Sequence, residues 1–284
     1  MDDPTTLVST GWLADRLEDP DLRVLDASWH MPAEGRDARA EFDGAHIPGA
    51  RFFDIDAISD PRSGLPHMAP EPREFGAQAA RLGVGEADRV VVYDASGVFS
   101  APRAWWLFRL MGHRDVAVLD GGLPKWLAEG RPVTGGAAAP ARERAAPARR
   151  RDGIYADAAR VADALKRGDR QVVDARAPAR FRGEKAEPRP GLRAGHMPGA
   201  RNVPFGTLLN PDGTMKDPAG LRAAFEAGGV DPARPAITTC GSGITAAVLS
   251  LAFARLGNED VALYDGSWAE WGMESGGDVA TGEA

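Results

Sequence analysis

The sequence predicts an α/β fold laid down twice in one chain, as two domains that each carry a mainly parallel sheet flanked by helices. Three observations predict it. Four short blocks recur in the same order: "RVLDAS" at 23–28 returns as "QVVDAR" at 171–176, "HIPGAR" at 46–51 as "HMPGAR" at 196–201, "VVVYDASG" at 90–97 as "AITTCGSG" at 236–243, and "LDGGLPKW" at 119–126 as "YDGSWAEW" at 264–271. Their offsets of 148, 150, 146 and 145 residues are nearly constant, which marks a duplicated unit. Within each copy short β-branched runs alternate with helical patterns, the arrangement that builds a parallel sheet covered on both faces. Between the copies, "TGGAAAPARERAAPARRRDG" at 134–153 is poor in large apolar side chains and rich in Pro, Ala and Arg, so it reads as a linker over the surface. The expected domains are 1–136 and 152–284, with 137–151 as the linker.

In chain order, Leu7 to Leu17 predicts a helix, because Ser9 or Thr10 can cap it and Trp12, Leu13 and Leu17 share one face of a 3.6-residue period. Strands follow at Arg23–Asp26, Val90–Asp94 and Val116–Leu119. The second copy opens on "YADAARVADALKRG", a helical pattern ending in glycine, and places strands at Gln171–Asp174, Ala236–Thr239 and Val261–Tyr264. A helix is expected from about Thr245 through Val248, Leu249, Leu251, Ala252 and Phe253. Ligands of such sheets bind beyond the carboxyl ends of the strands.

A chain of 284 residues exceeds one comfortable core, which agrees with two domains. Hydrophobic residues at 43% and charged residues at 26% fit a soluble globular protein and exclude disordered and fibrous classes. A net charge of −7 argues against a general nucleic-acid binder, which needs a surplus of Lys and Arg on one face. The start, "MDDPTTLVST", has no basic region followed by an apolar one, so it does not read as a secretory signal. The longest nearly apolar run, Ala246 to Ala254, is far too short for a membrane span. A cytoplasmic protein is expected. One cysteine rules out an internal disulfide and a Cys-rich zinc site, and the five histidines show no metal-binding spacing, so neither metal nor organic cofactor is expected.

The repeat sets Cys240 opposite Asp94, the same architecture with different chemistry at one loop. A free cysteine is ordinarily a small buried hydrophobe. This one stands at a strand-to-helix turn, where unpaired backbone N–H groups and the helix dipole favour an anion. Gly241 and Gly243 are expected to let the loop adopt positive φ and turn its amides inward as a nest, although both also fit a plain tight turn. The thiolate is the nucleophilic form, and such a nest would hold it. His46 and His196 recur in both copies ahead of a Pro-Gly pair, so a turn-stabilising role is expected for them. Trp105, Trp106, Trp126, Trp268 and Trp271 read as packing, with Trp268 and Trp271 also candidates for a cleft wall.

Duplicated domains, Asp in the first loop, Cys in the second, "CGSGIT", "LDASWHMP", "FFDIDAISD", "VVYDAS", "SAPRAWW", "RFRG" and "EPRPG" together resemble the tandem-domain rhodanese superfamily, over nearly the whole chain. Within it the chain is similar to the branch that draws sulfur from 3-mercaptopyruvate. The family loop reads Cys-Gly-Ser-Gly-Val-Thr, with Ile244 here in place of Val and Thr245 matching.

That resemblance implies a Cys240 persulfide, formed from the donor with release of pyruvate and discharged to a thiol such as thioredoxin or glutathione, or to cyanide. It implies that Arg180 and Arg189 clamp the carboxylate and oxo group, which suits the planar guanidinium fork. It also implies that Ser242, His67 and Asp56 meet across the domain cleft as a proton-handling chain. Gly241, Gly243, Ile244 and Thr245 would line the donor. The loop after Cys240 carries no basic side chain, which argues for a carboxylate-bearing ketone over dianionic thiosulfate. Thiosulfate sulfurtransferase remains the rival enzyme, and a non-catalytic sulfur-relay or redox-sensing module the rival from another class. A cysteine phosphatase would need Arg six places after the nucleophile, where Ala246 stands. A serine nucleophile elbow would need its glycines two residues from Ser242 instead of one. A monomer is expected.

Overall fold

Short β-branched runs buried on both faces suit the central strands of a covered sheet, and the chain has two such sets. The computed structural model describes residues 2–138 and 142–283. In the first unit the strands are β1 (Leu7–Val8), β2 (Leu22–Asp26), β3 (Arg51–Phe52), β4 (Arg89–Tyr93) and β5 (Val116–Leu119), in the order β1-β5-β4-β2-β3. In the second they are β6 (Tyr155–Ala156), β7 (Gln171–Asp174), β8 (Arg201–Asn202), β9 (Ala236–Thr239) and β10 (Val261–Tyr264), in the order β6-β10-β9-β7-β8. Every pairing is parallel, and the two orders are the same permutation, so the repeat in sequence is a repeat in topology. The middle strands, β4 and β9, end directly before Asp94 and Cys240.

Helices cover the faces: α1 (Thr10–Ala14), α2 (Ala38–Gly44), α3 (Ile55–Ile58), α4 (Pro72–Arg81), α5 (Ala101–Leu110) and α6 (Gly122–Ala128) in the first unit. In the second are α7 (Ala158–Arg167), α8 (Pro178–Phe181), α9 (Pro218–Ala227), α10 (Ala246–Arg255) and α11 (Ser267–Trp271). The helix that follows each middle strand, α5 or α10, is apolar on nearly all sides, with Trp106 and Phe108 or Leu251 and Phe253 fully sequestered. Such a helix cannot slide without exposing core, which fixes where its N-terminus stands.

The expected helix over Leu7 to Leu17 is shorter. Leu7 and Val8 pair with Val118 and Leu119 as an edge strand, and Ser9 caps α1 by accepting from the Trp12 amide at 3.1 Å. Pairing of two buried apolar residues with β5 overrides the local helical period. His46 and His196 are structural as expected: each stacks on a phenylalanine ring, Phe42 or Phe181, and each Nδ1 bonds that residue's carbonyl, at 2.8 and 2.9 Å. Trp106, Trp126 and Trp268 are among the largest fully buried side chains.

By contacts the first unit comprises Met1–Asp60, Ala69–Arg151 and Asn210–Met215, and the second Pro61–Met68, Asp152–Leu209 and Lys216–Ala284. The boundaries expected from sequence put Pro61–Met68 with the first domain and Asn210–Met215 with the second. Composition carries no sign of such membership; in the first unit Met215 N–H donates to Asp120 Oδ1 at 2.7 Å. Of the expected linker, 139–141 lie outside the described residues. The rest lies along the first unit, where Glu86 N–H donates to Ala145 O and the amides of Arg149 and Arg151 donate to Met111 O and Leu110 O.

The repeated strands β2 and β7 each end in a buried aspartate, and its partner two places on differs between the copies. In the second unit Arg176 grips Asp174 through Nε and Nη2, at 2.9 and 2.6 Å. In the first unit Ser28 replaces the arginine, giving Asp26 only its amide and hydroxyl, and burial raises the Asp26 carboxyl to about 6. A folded carboxyl above its unfolded value of 3.8 binds an extra proton between the two, so stability falls as pH rises through that window, by about 3 kcal/mol in all. Asp26→Asn removes that dependence. We expect chemical denaturation of the variant to gain on the natural protein by up to about 3 kcal/mol between pH 4 and pH 7, whatever its constant offset.

Candidate active site

Anion binding at the ends of β4 and β9 follows from one backbone problem: a helix leaves its first amides without intrahelical acceptors. In the first unit Asp94 answers it. Its Oδ2 accepts from the amides of Phe99, Ser100 and Ala101 at 2.9, 2.9 and 2.8 Å, and its Oδ1 from Ser96 at 2.8 Å. Asp94 is 1% exposed, so this is a buried negative charge held by main-chain donors at the start of α5. No other side chain caps that helix from its N-cap residue, Ser100.

In the second unit Cys240 takes the same place after β9. Thr245, the N-cap of α10, makes no side-chain bond to the first turn. Among the described residues, none accepts a hydrogen bond from the amides of Gly241, Ser242, Gly243, Ile244 or Thr245. The donors that Asp94 satisfies in one copy are therefore unclaimed in the other, where the side chain is a thiol. Cys240 is 2% exposed and follows the buried strand β9 directly.

The loop is fixed from beneath. Trp268 and Ala269 at the start of α11 donate to the carbonyls of Cys240 and Gly241, at 3.0 and 2.9 Å. The Cys240 amide donates to Ser267 Oγ at 3.2 Å, and that hydroxyl donates to Tyr264 O at 2.8 Å. Ser267 was not singled out from the sequence. It has φ +50, and the other non-glycine residue with positive φ among the described residues is His67, at +62. Side chains rarely tolerate that conformation, which costs on the order of 1–2 kcal/mol. Both strained residues bond to the Cys240 loop, so the strain is spent there. The repeat holds the missed signal: Gly122, at φ +55, is the first-copy counterpart of Ser267.

His67 lies in the Pro61–Met68 segment and is 5% exposed. Its Nδ1 is hydrogen-bonded to Ser242 Oγ at 2.9 Å, with Ser242 O at 3.3 Å. The structure thus joins two of the three residues expected to handle protons. Asp56 lies on α3 of the first unit, where its Oδ2 accepts from Trp29 Nε1 at 3.1 Å.

Arg180 and Arg189 both reach Gly241: a methyl built there would stand 3.1 Å from Arg180 Nη2 and 4.0 Å from Arg189 Nη1. This corrects the role expected for Gly241. Of the two, only Gly243 has positive φ, at +81, while Gly241 has ordinary backbone and lies close beside the guanidinium. Ile244 is buried and Thr245 half-buried in the same loop.

Behind Arg180 stands a network that sequence reading missed. Glu187 accepts from Arg180 Nε at 3.2 Å and, through its other oxygen, from Arg180 Nη2; it also accepts from Arg176 Nη1 at 2.9 Å. Arg176 lies 4.2 Å over the ring of Trp268, the residue that ties down the Cys240 carbonyl. Burial works against its charge, but Asp174 and Glu187 outweigh it and keep its pKa above the ordinary arginine value. The signal was again in the repeat, in the exchange of Ser28 for Arg176. Among the described residues no group of His, Cys, Asp or Glu is placed to hold a metal ion.

The two loop glycines can be told apart by stability. Gly243→Ala should cost about 1–2 kcal/mol in denaturant melts, because alanine resists positive φ. Gly241→Ala should stay within about 0.5 kcal/mol, since its backbone is ordinary and only the end of Arg180 must yield.

Comparison with known proteins places this geometry. The rhodanese-like domain model matches twice, at residues 9–129 and 157–274. The human protein named 3-mercaptopyruvate sulfurtransferase is 46% identical over 282 residues, covering 95% of this chain and 92% of the relative. A rat thiosulfate sulfurtransferase is 44% identical over 274 residues, covering 93% and 91%. The crystal structure of SseA from Escherichia coli, described as a 3-mercaptopyruvate sulfotransferase, superposes with a TM-score of 0.85 at 41% identity, over 94% of this chain and all of that one. The duplicated sheet, the loop after β9 and these matches agree: the chain is a tandem member of the rhodanese-like domain family.

Proposed function

We propose that this protein is a 3-mercaptopyruvate sulfurtransferase that carries sulfur as a persulfide on Cys240. The observation that carries the reading is the pair of equivalent loops: one holds the Asp94 carboxylate on four amides, and the other has a thiol at the equivalent position of a loop whose amides no described residue claims. Donors that stabilise a carboxylate also stabilise a thiolate, the nucleophilic form. The homologues named for this activity support the same reading.

In the first step the Cys240 thiolate attacks the donor sulfur. An S–S bond forms, the donor C–S bond breaks, and its electron pair leaves on carbon as the pyruvate enolate. Arg180 and Arg189, converging beside Gly241, bind the carboxylate and oxo group. The Ser242 hydroxyl, polarised by His67, donates to the developing enolate oxygen before a proton reaches carbon. We assign Asp56 to this relay as the family resemblance implies. In the second step an acceptor thiolate attacks the outer sulfur and regenerates the Cys240 thiolate, which is covalent catalysis in two displacements. Thioredoxin or glutathione fits as acceptor, with a monomer acting in the cytoplasm. The neutral side chains of Gly241 to Thr245 favour mercaptopyruvate over thiosulfate.

Intact mass spectrometry after incubation with 3-mercaptopyruvate, with no acceptor added, tests the reading. We expect a gain of one sulfur atom that dithiothreitol reverses and that Cys240→Ser abolishes together with pyruvate release. No adduct on the natural protein overturns it, and an adduct without turnover favours the relay module. Arg180→Ala should lower kcat/KM for mercaptopyruvate by an amount equivalent to about 2–4 kcal/mol. Unchanged kinetics would remove Arg180 from the site. Asp56→Asn and His67→Gln should each lower kcat, and the double variant should lose little more than His67→Gln alone, because residues acting as one unit are not additive. Additive losses would separate Asp56 from the relay.

A further inference from the structure

Arg180 meets two demands that conflict. To bind a carboxylate it needs an open edge of its guanidinium, yet a long exposed side chain on the four-residue helix α8 has no fixed position of its own. Glu187 resolves the conflict. A guanidinium has a side edge, made of Nε–H and one Nη2–H, and an end edge, made of the remaining Nη hydrogens. Glu187 occupies the side edge with both oxygens, so the end edge is the one left beside Gly241. Among the described residues, none accepts from Arg180 Nη1.

The same contact changes the electrostatics. Asp174, Arg176, Glu187 and Arg180 form a chain of alternating charge that sums to zero, and all but Arg180 have side chains no more than 2% exposed. Arg180 is 21% exposed and faces the loop, where residues 241 to 245 carry no charge. It therefore offers a substrate aligned N–H donors with its positive charge already matched by Glu187. Directional donors suit a planar carboxylate or ketone, whereas a dianion needs net positive charge to offset its desolvation.

We infer that Glu187 sets donor choice, holding Arg180 by its side edge and cancelling its charge so that the site takes a monoanionic α-keto thiol and disfavours a dianionic sulfur donor. This rests on Arg180 being a donor-binding residue, as proposed above. Glu187 acts through Arg180 and is a positioning residue. Its two effects separate by substitution: Glu187→Gln removes the charge, and Glu187→Asp keeps the charge but shortens the reach.

The experiment measures kcat and KM with 3-mercaptopyruvate and with thiosulfate, cyanide being the acceptor, for the full-length natural protein and both variants. Folding is checked by thermal melts. For Glu187→Gln we expect the ratio of thiosulfate to mercaptopyruvate kcat/KM to rise about tenfold or more. For Glu187→Asp we expect KM for mercaptopyruvate to rise about fivefold while kcat and the donor ratio stay within about twofold. An unmoved ratio in folded Glu187→Gln, or the same ratio shift in both variants, overturns charge-setting. Should Glu187→Gln not fold, Glu187→Asp decides alone, and an unchanged KM overturns the proposal. If natural protein turns over mercaptopyruvate and the variants behave alike, only the role of Glu187 falls. If it gains no sulfur from mercaptopyruvate, the proposed function falls first.

Discussion

The N-terminal amides of a buried helix are the constraint on which the rest of this structure depends. They lack acceptors inside the helix, and a helix as apolar as α5 or α10 cannot move its end into water without pulling core with it. An anion at the end of the middle strand meets the need. The first unit supplies it permanently with Asp94, held by four amides. The second unit places the Cys240 thiol at the same point, after β9. One copy of the duplication thus fills the site with a carboxylate, and the other, on the proposed reading, leaves it open for chemistry.

The loop after β9 is held differently from its first-copy counterpart. Where the first unit uses Gly122 at positive φ, the second uses Ser267 at nearly the same φ, accepting backbone strain to put a hydroxyl under the Cys240 amide. Where the first unit leaves Asp26 with Ser28, the second builds the Asp174–Arg176–Glu187–Arg180 chain. Arg176 links the two devices, since it bonds Glu187 on one side and lies over Trp268 on the other, and Trp268 holds the Cys240 carbonyl. A buried ion network of this kind is weak evidence for net stability. Its value here lies in fixing one guanidinium and one loop relative to each other.

Much of this was legible in the sequence because duplication supplies its own comparison. The six long strands, the helix after Cys240 and the equivalence of Asp94 with Cys240 all followed from period and repeat. The structural reading of His46 and His196 followed from their presence in both copies. Edge strands did not, since Leu7–Val8 and Tyr155–Ala156 are two residues long and are defined by partners distant in sequence. The positive φ expected at Gly241 is absent, because local sequence does not distinguish a glycine that adopts positive φ from one that only lies close to a neighbouring side chain. Ser267, Arg176 and Glu187 were missed although two of them stand where the copies differ, at Gly122 and Ser28. Differences between internal repeats deserve the same weight as their likenesses.

The central claim, that main-chain amides of the loop after β9 hold a charged sulfur, is tested most directly by a high-resolution crystal structure of protein treated with 3-mercaptopyruvate. The account predicts a second sulfur on Cys240 with amide nitrogens from Gly241 to Thr245 within about 3.5 Å of it. An unmodified Cys240, or a persulfide whose outer sulfur meets only apolar side chains with those amides turned away, would contradict it.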